Sequence, residues 1–153
     1  MASTFSTFLK IELMQTGENA GTWGTKTNTN LQLVEQAIAG YESVNVTSAT
    51  VALTMDDGSI SQARNMILEF AGTLTGATNI TIPDSIEKLY LIKDNTTRAG
   101  NTLTMKTATG SGFDPTNGKI HLAYSNGTNL SNVDLGTLGG EIATASIADS
   151  SIT

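Results

Sequence analysis

The sequence predicts a mainly β protein: an N-terminal extended arm and one short α-helix, then an antiparallel β-sandwich, then an extended C-terminal tail. Three observations predict it. From Tyr41 onward, apolar residues recur with a period of two in short runs broken by Gly, Asn, Asp and Pro. Only residues 30–39 carry a helical period, with Leu31, Val34 and Ile38 on one face. Charged residues are 14% and hydrophobic residues 39%, with a formal net charge of −6. Thr, Ser, Asn and Gly fill much of the rest, which suits a β-rich surface, and the modest charge argues against disorder.

The arm, residues 1–28, comes first. Leu9, Ile11 and Leu13 alternate with Lys10 and Glu12, the period of an extended strand. Phe5 and Phe8 supply apolar knobs, and such an arm is ordered only if it docks on something. The arm ends in a turn around Trp23, the only tryptophan, between Gly21 and Gly24. Flanking glycines let the backbone approach a neighbour while the ring buries a large apolar area. That arrangement suits an anchor better than an active site, so Phe5, Phe8 and Trp23 are the candidate docking residues.

A helix over residues 29–40 follows. Thr29 and Gln32 have the spacing of a capping box, and Gly40 is placed to end the helix in the left-handed conformation. A helix this short is marginal alone and needs a packing partner. Its apolar face, Leu31, Val34 and Ile38, is therefore the face that must pack on something.

Residues 41–134 read as the sandwich. Val44 and Val46 point inward, as do Val51, Leu53 and Met55. Asp56-Asp57-Gly58 is a turn. Met66, Leu68 and Phe70 form the next inward set, with Glu69 facing out. Ile80 and Ile82 lead to Pro83, which ends pairing. Leu89-Tyr90-Leu91-Ile92 is apolar on both faces and reads as a central strand. Leu103 and Met105 point inward next, and then Ile120, Leu122 and Tyr124, with His121 facing out. The spacing of the turns is that of a sandwich. Residues 135–153 are a Gly-rich link followed by isoleucines at every fifth position, Ile142, Ile147 and Ile152. That period is neither helical nor strand-like, and three copies around one axis could stack those side chains.

Several functional classes are disfavoured. The chain has no cysteine, so disulfides and Cys-based zinc sites are out. Eight Lys and Arg in total, scattered, make no nucleic-acid footprint. No apolar run approaches membrane-spanning length, and no secretory leader is expected at the N-terminus. His121 is the only histidine, with no nucleophile or orienting acid singled out beside it. Asp56 and Asp57 lack the spacing of a calcium loop, and Gly110-Ser111-Gly112 lacks the Lys of a phosphate loop. No acidic pair with an aromatic lining suggests glycan cleavage. Tyr90 and Tyr124 could stack on sugars, but strand-periodic aromatics are more often core. The expectation is a non-enzymatic protein with no cofactor and no metal. Arg64, in Gln62-Ala63-Arg64-Asn65, either ties a turn to a loop or pairs between subunits.

Gly17-Glu18-Asn19, Thr22-Trp23-Gly24, Asn28 and Asn30, then Leu33, Glu35 and Ala37-Ile38-Ala39-Gly40-Tyr41 resemble the N-terminal module of tail-fibre and tail-fibre-like proteins of tailed bacteriophages. Further blocks resemble it in the same order: Gln62-Ala63-Arg64-Asn65, Leu74-Thr75-Gly76, Glu87 to Ile92, Lys106 to Gly112 and Tyr124 to Thr128. The likeness covers the chain from about Leu9 to Val133 and departs at Met14-Gln15 and across residues 113–118. The repeat at Ile142, Ile147 and Ile152 resembles that of phage fibre shafts. The resemblance implies a virion location in the phage tail and a homotrimer about the fibre axis. Leu31, Val34, Ile38, Ile142, Ile147 and Ile152 would form the trimer interface, and Phe5, Phe8 and Trp23 would dock on other tail proteins. Neither nucleic acid nor membrane is an expected partner. The alternatives are a receptor- or glycan-binding module at the distal end of a tail, and a head decoration protein.

Overall fold

The computed structural model describes residues 3–133. The Gly-rich link and the isoleucine repeat lie outside the described residues. A short hairpin, β1 (Thr4–Phe5) with β2 (Glu12–Leu13), is followed by one long helix, α1 (Trp23–Ala39). Nine strands follow: β3 (Tyr41–Asn45), β4 (Thr50–Ala52), β5 (Ile67–Ala71), β6 (Thr78–Ile82), β7 (Glu87–Asp94), β8 (Leu103–Thr107), β9 (Gly112–Phe113), β10 (Ile120–Asn126) and β11 (Leu130–Asn132). A single 3-10 turn at Gln62–Arg64 precedes β5. The mainly β class, with one helix, is as expected.

The sheets are not the expected antiparallel ones. Strands β3, β5 and β7 pair in parallel, as do β4, β6 and β8 in the second sheet. From β3 to β8 the chain alternates between the two sheets, so each successive strand pair is one turn of a flattened coil. Among the described residues, antiparallel pairing appears only where β10 and β11 complete the five-stranded sheet, where β9 completes the four-stranded one, and in the N-terminal hairpin. The reason for the miss is physical: side chains alternate between faces with period two in either direction of pairing. Runs apolar on both faces, such as those in β5 and β7, are the mark of parallel strands.

One core joins both sheets. Val44, Leu68, Phe70, Tyr90 and Ile92 enter it from the five-stranded sheet, and Ile80, Ile82, Leu103 and Met105 from the other. Parallel register stacks like on like, with Val44 beside Phe70 and Val51, Ile80 and Met105 in one row. Pro83 follows the last residue of β6, as expected, and β7 is the central strand of its sheet.

Strand β10 reverses its expected faces. Ala123 and Ser125 are buried, while Ile120 and Tyr124 are exposed and Leu122 is half-buried. Ser125 is held inside because its hydroxyl donates to the carbonyl of Ile86 at 2.7 Å, which removes the cost of burying it. The larger apolar side chains therefore face outward, an arrangement that single-chain burial does not explain.

The loops at one end are fastened by a buried carboxylate. Asp94 accepts from the Thr96 amide and hydroxyl at 2.9 and 2.7 Å, from Arg98 Nε at 2.7 Å and from Asn117 at 3.1 Å. Burial pushes its pKa up, but the bonds from Thr96, Asn117 and Arg98 outweigh burial and hold it below the usual carboxylate range.

Candidate interaction surface

The helix is longer than its apolar period suggests. It starts at Trp23, so Trp23 is its first residue and not part of a preceding turn. Thr29 lies within it and donates its hydroxyl to the Thr25 carbonyl at 3.0 Å, so the expected capping box does not form. The first turn hangs instead on Asn19, at φ 64°, whose carbonyl accepts from the Thr22 and Trp23 amides at 2.8 and 2.9 Å. The Thr- and Asn-rich residues 25–30 have weak helix propensity, and tertiary contacts override it.

Those contacts come from the N-terminal arm. Asn30 forms a two-way pair with the backbone of Glu12, accepting from its amide at 2.9 Å and donating to its carbonyl at 2.8 Å. Lys26 lies 2.9 Å from the Glu12 carboxylate. That hydrogen bond is the main cause of a lowered Glu12 pKa. The arm is thus docked on its own chain, and Phe5 lies over Gly58, where a Cβ would stand 2.9 Å from the ring.

The other end of the helix ends differently from expectation. Gly40 is extended, at φ −68° and ψ 141°, not left-handed. Glycine is needed there for space: a Cβ would sit 2.3 Å from both the Gln36 carbonyl oxygen and Asn65 Oδ1. Arg64 is the fastener beneath. It is fully buried and donates to the carbonyls of Leu9 at 2.9 Å, Asp56 at 2.6 Å and Ser59, and to Gln36 Oε1 at 3.4 Å. The arm, the helix and the loop after β4 meet on one guanidinium, so Arg64 ties a turn to its neighbours within the chain. Burial lowers its pKa, and Asp56 and Asp57 counter that.

Only Leu33 and Ala37 of the helix are buried. Trp23, Leu31 and Ile38 are 67, 62 and 71% exposed, and Val34 is half-buried. At about 100° per residue, these four lie within a sector of about 80°, centred about 100° around the helix from the side that Leu33 and Ala37 bury. Phe5 and Phe8 are also partly exposed. Three of the predicted docking residues and three of the predicted association residues therefore have surface to offer. Ile142, Ile147 and Ile152 lie outside the described residues.

Reading the sequence missed two features. One is the outer face of the five-stranded sheet, where Tyr41, Ile67, Leu91 and Leu122 form a row across four strands, beside Leu89 and Tyr124. The two-faced apolar run at Leu89 to Ile92 was the available signal. The other is a groove of about 340 Å³ lined by Leu9, Ala37, Ile38, Met66, Lys88 and Leu89. Lys88 Nζ donates to the Asn65 carbonyl at 3.0 Å and sits 3.9 Å over the Tyr90 ring. Burial, and then the nearby Arg64 charge, lower its pKa to about 7.

The remaining candidates resolve plainly. Tyr90 is fully buried, its hydroxyl donating to the Ala63 carbonyl at 3.0 Å, so it is core and offers sugars nothing. Tyr124 is not core. His121 Nε2 accepts from the Thr116 amide at 2.9 Å, and its ring packs tilted on Phe113 with centroids 5.7 Å apart, so it anchors a loop. Asp57 and Gly58 form the expected turn. Among the described residues, no cluster of His, Asp and Glu has the arrangement of a metal site. Comparison with family models, with curated proteins and with solved structures finds no match.

Proposed function

We propose that this chain is a non-enzymatic structural module of a phage virion, one that anchors a host-recognition fibre to the tail. The single observation that carries the reading is the exposed apolar stripe of α1. A soluble helix ordinarily buries its largest apolar side chains, whereas this one buries Leu33 and Ala37 and presents Trp23, Leu31 and Ile38. Such a stripe is an association surface.

Leu31, Val34 and Ile38 have the three-then-four spacing of a coiled-coil seam, and three parallel copies would bury it about a common axis. The coil of parallel strands braces the foot of each helix through Arg64 and Gly40. Trp23, at the outer end of the helix, with Phe5 and Phe8 on the arm, is the surface proposed to meet other tail proteins. The isoleucine repeat would lead into a shaft. Function in this reading is mechanical: a rigid joint holds receptor-binding parts at a set angle and transmits their engagement.

Light scattering on the size-exclusion peak of the full chain tests the association. A mass of three chains supports the reading, and a monomer at concentrations of tens of micromolar or more contradicts it. Incorporation of a Trp23→Ala chain into particles tests the docking: loss with the β fold retained is expected, and normal incorporation would sink the docking role.

A further inference from the structure

The groove at the foot of the helix has apolar walls and one charged group. Leu9, Ala37, Ile38, Met66 and Leu89 line it, and Lys88 stands among them. Among the described residues, Lys88 meets a carbonyl and an aromatic ring but has no carboxylate partner. Burying an amine without an anion is unfavourable, as its lowered pKa reflects. The site is complementary to an apolar side chain with a carboxylate beside it.

The chain itself carries that combination. Strand β11 is the edge of the same sheet, and Ser131 lies in register with Tyr124, which lies in register with Leu89. The Val133 amide donates to the Leu122 carbonyl at 2.7 Å, so the described chain ends on this sheet, two strands from β7. Two strand spacings are about 10 Å. Leu135, Leu138, Gly139, Gly140, Glu141 and Ile142 follow, and beyond Lys119 every charged residue except Asp134, Glu141 and Asp149 is missing. The stretch from Val133 to Ile142 can span up to about 30 Å when extended, ample for the path, and the glycines permit the reversal it needs.

We propose that residues 135–142 dock across the outer face of their own five-stranded sheet, with Leu135 and Leu138 over the apolar rows and Ile142 in the groove, its neighbour Glu141 paired with Lys88. The segment is favoured over a second copy because a short tether holds it at an effective concentration on the order of millimolar. The inference does not rest on the trimer, and it leaves Ile147 and Ile152 for a shaft.

Zero-length carbodiimide cross-linking of the full chain tests it, using an equal mixture of unlabelled and heavy-nitrogen-labelled protein and peptide mass spectrometry. The expected product is a Lys88–Glu141 isopeptide in which both halves carry the same label. Ile142→Ser should cut its yield about ten-fold, the effect of losing one buried aliphatic side chain, and this change leaves the described body untouched. Links of mixed label would overturn the proposal in favour of a neighbouring copy's tail. Links from Lys88 to Asp134 or Asp149 alone would overturn the placement of Glu141. Absence of any link from Lys88 to these three acids would overturn the docking and leave the groove to a different partner.

Discussion

Arg64 shows how one residue can hold a joint. Its guanidinium meets carbonyls from the arm and from the loop after β4, and Gln36 from the helix. Arg64→Met would keep much of the volume but leave those carbonyls unsatisfied, each costing about 1–3 kcal/mol. A loss of about 3 kcal/mol or more in urea unfolding is expected, with faster amide exchange around Leu9. Gly40→Ala is expected to cost about 2 kcal/mol through overpacking, since Gln36 backbone and Asn65 occupy the space. Lys88 makes a pH prediction. Its folded pKa, about 7, lies below its usual value of 10.5. Between those values the unfolded chain binds more protons, so this residue makes stability rise with pH from about 7 toward 10.5. In a Glu141→Gln chain, where the pairing proposed above cannot offset burial, Lys88→Met should flatten that part of a plot of urea midpoint against pH, and an unchanged slope would show that the amine is not desolvated.

At the scale of the element, α1 presents a buried face and an exposed apolar one. Its inner face is short and partly polar, with Leu33 and Ala37 buried beside Asn30 and Gln36. Its outer face is the apolar stripe. Substitutions should separate the two. Leu31→Asp or Ile38→Asp is expected to lower the solution mass to that of a single chain while leaving the circular dichroism unchanged. Leu33→Asp is expected to unfold the protein, because it buries a carboxylate with no partner. If Leu31→Asp and Ile38→Asp left the mass unchanged, the stripe would not be the association surface. Strand β10 also separates two faces: its apolar residues obey period two, yet the smaller Ala123 and a hydrogen-bonded Ser125 are the buried ones.

Over the described residues the chain is a short coil of parallel strands closed by antiparallel strands, with a helix leading into the first strand of the coil. Parallel rungs leave their last strand open to pairing, and β9 and β10 cover those edges. The Asp94 cluster fastens the loops beside that closure and makes an acid prediction. Its pKa is lowered in the fold, so its contribution is present above the usual carboxylate value and is lost as pH falls through the folded one. Asp94→Asn should therefore lower stability at neutral pH and reduce the loss of stability on acidification, as read from thermal midpoints at several pH values.

Composition and periodicity alone determined that the protein is mainly β, that Leu68, Phe70, Leu103 and Met105 point inward, that a helix precedes the strands of the body, and that Pro83 ends one. Those are local consequences of alternation and of turn chemistry, and they hold whichever strand becomes the neighbour. Tertiary structure alone decided the parallel pairing, the faces of β10, the start of the helix at Trp23, the spatial need for Gly40 and the meeting of three segments on Arg64. Each depends on which distant residue supplies the partner, and a period of two or of 3.6 carries no information about partners.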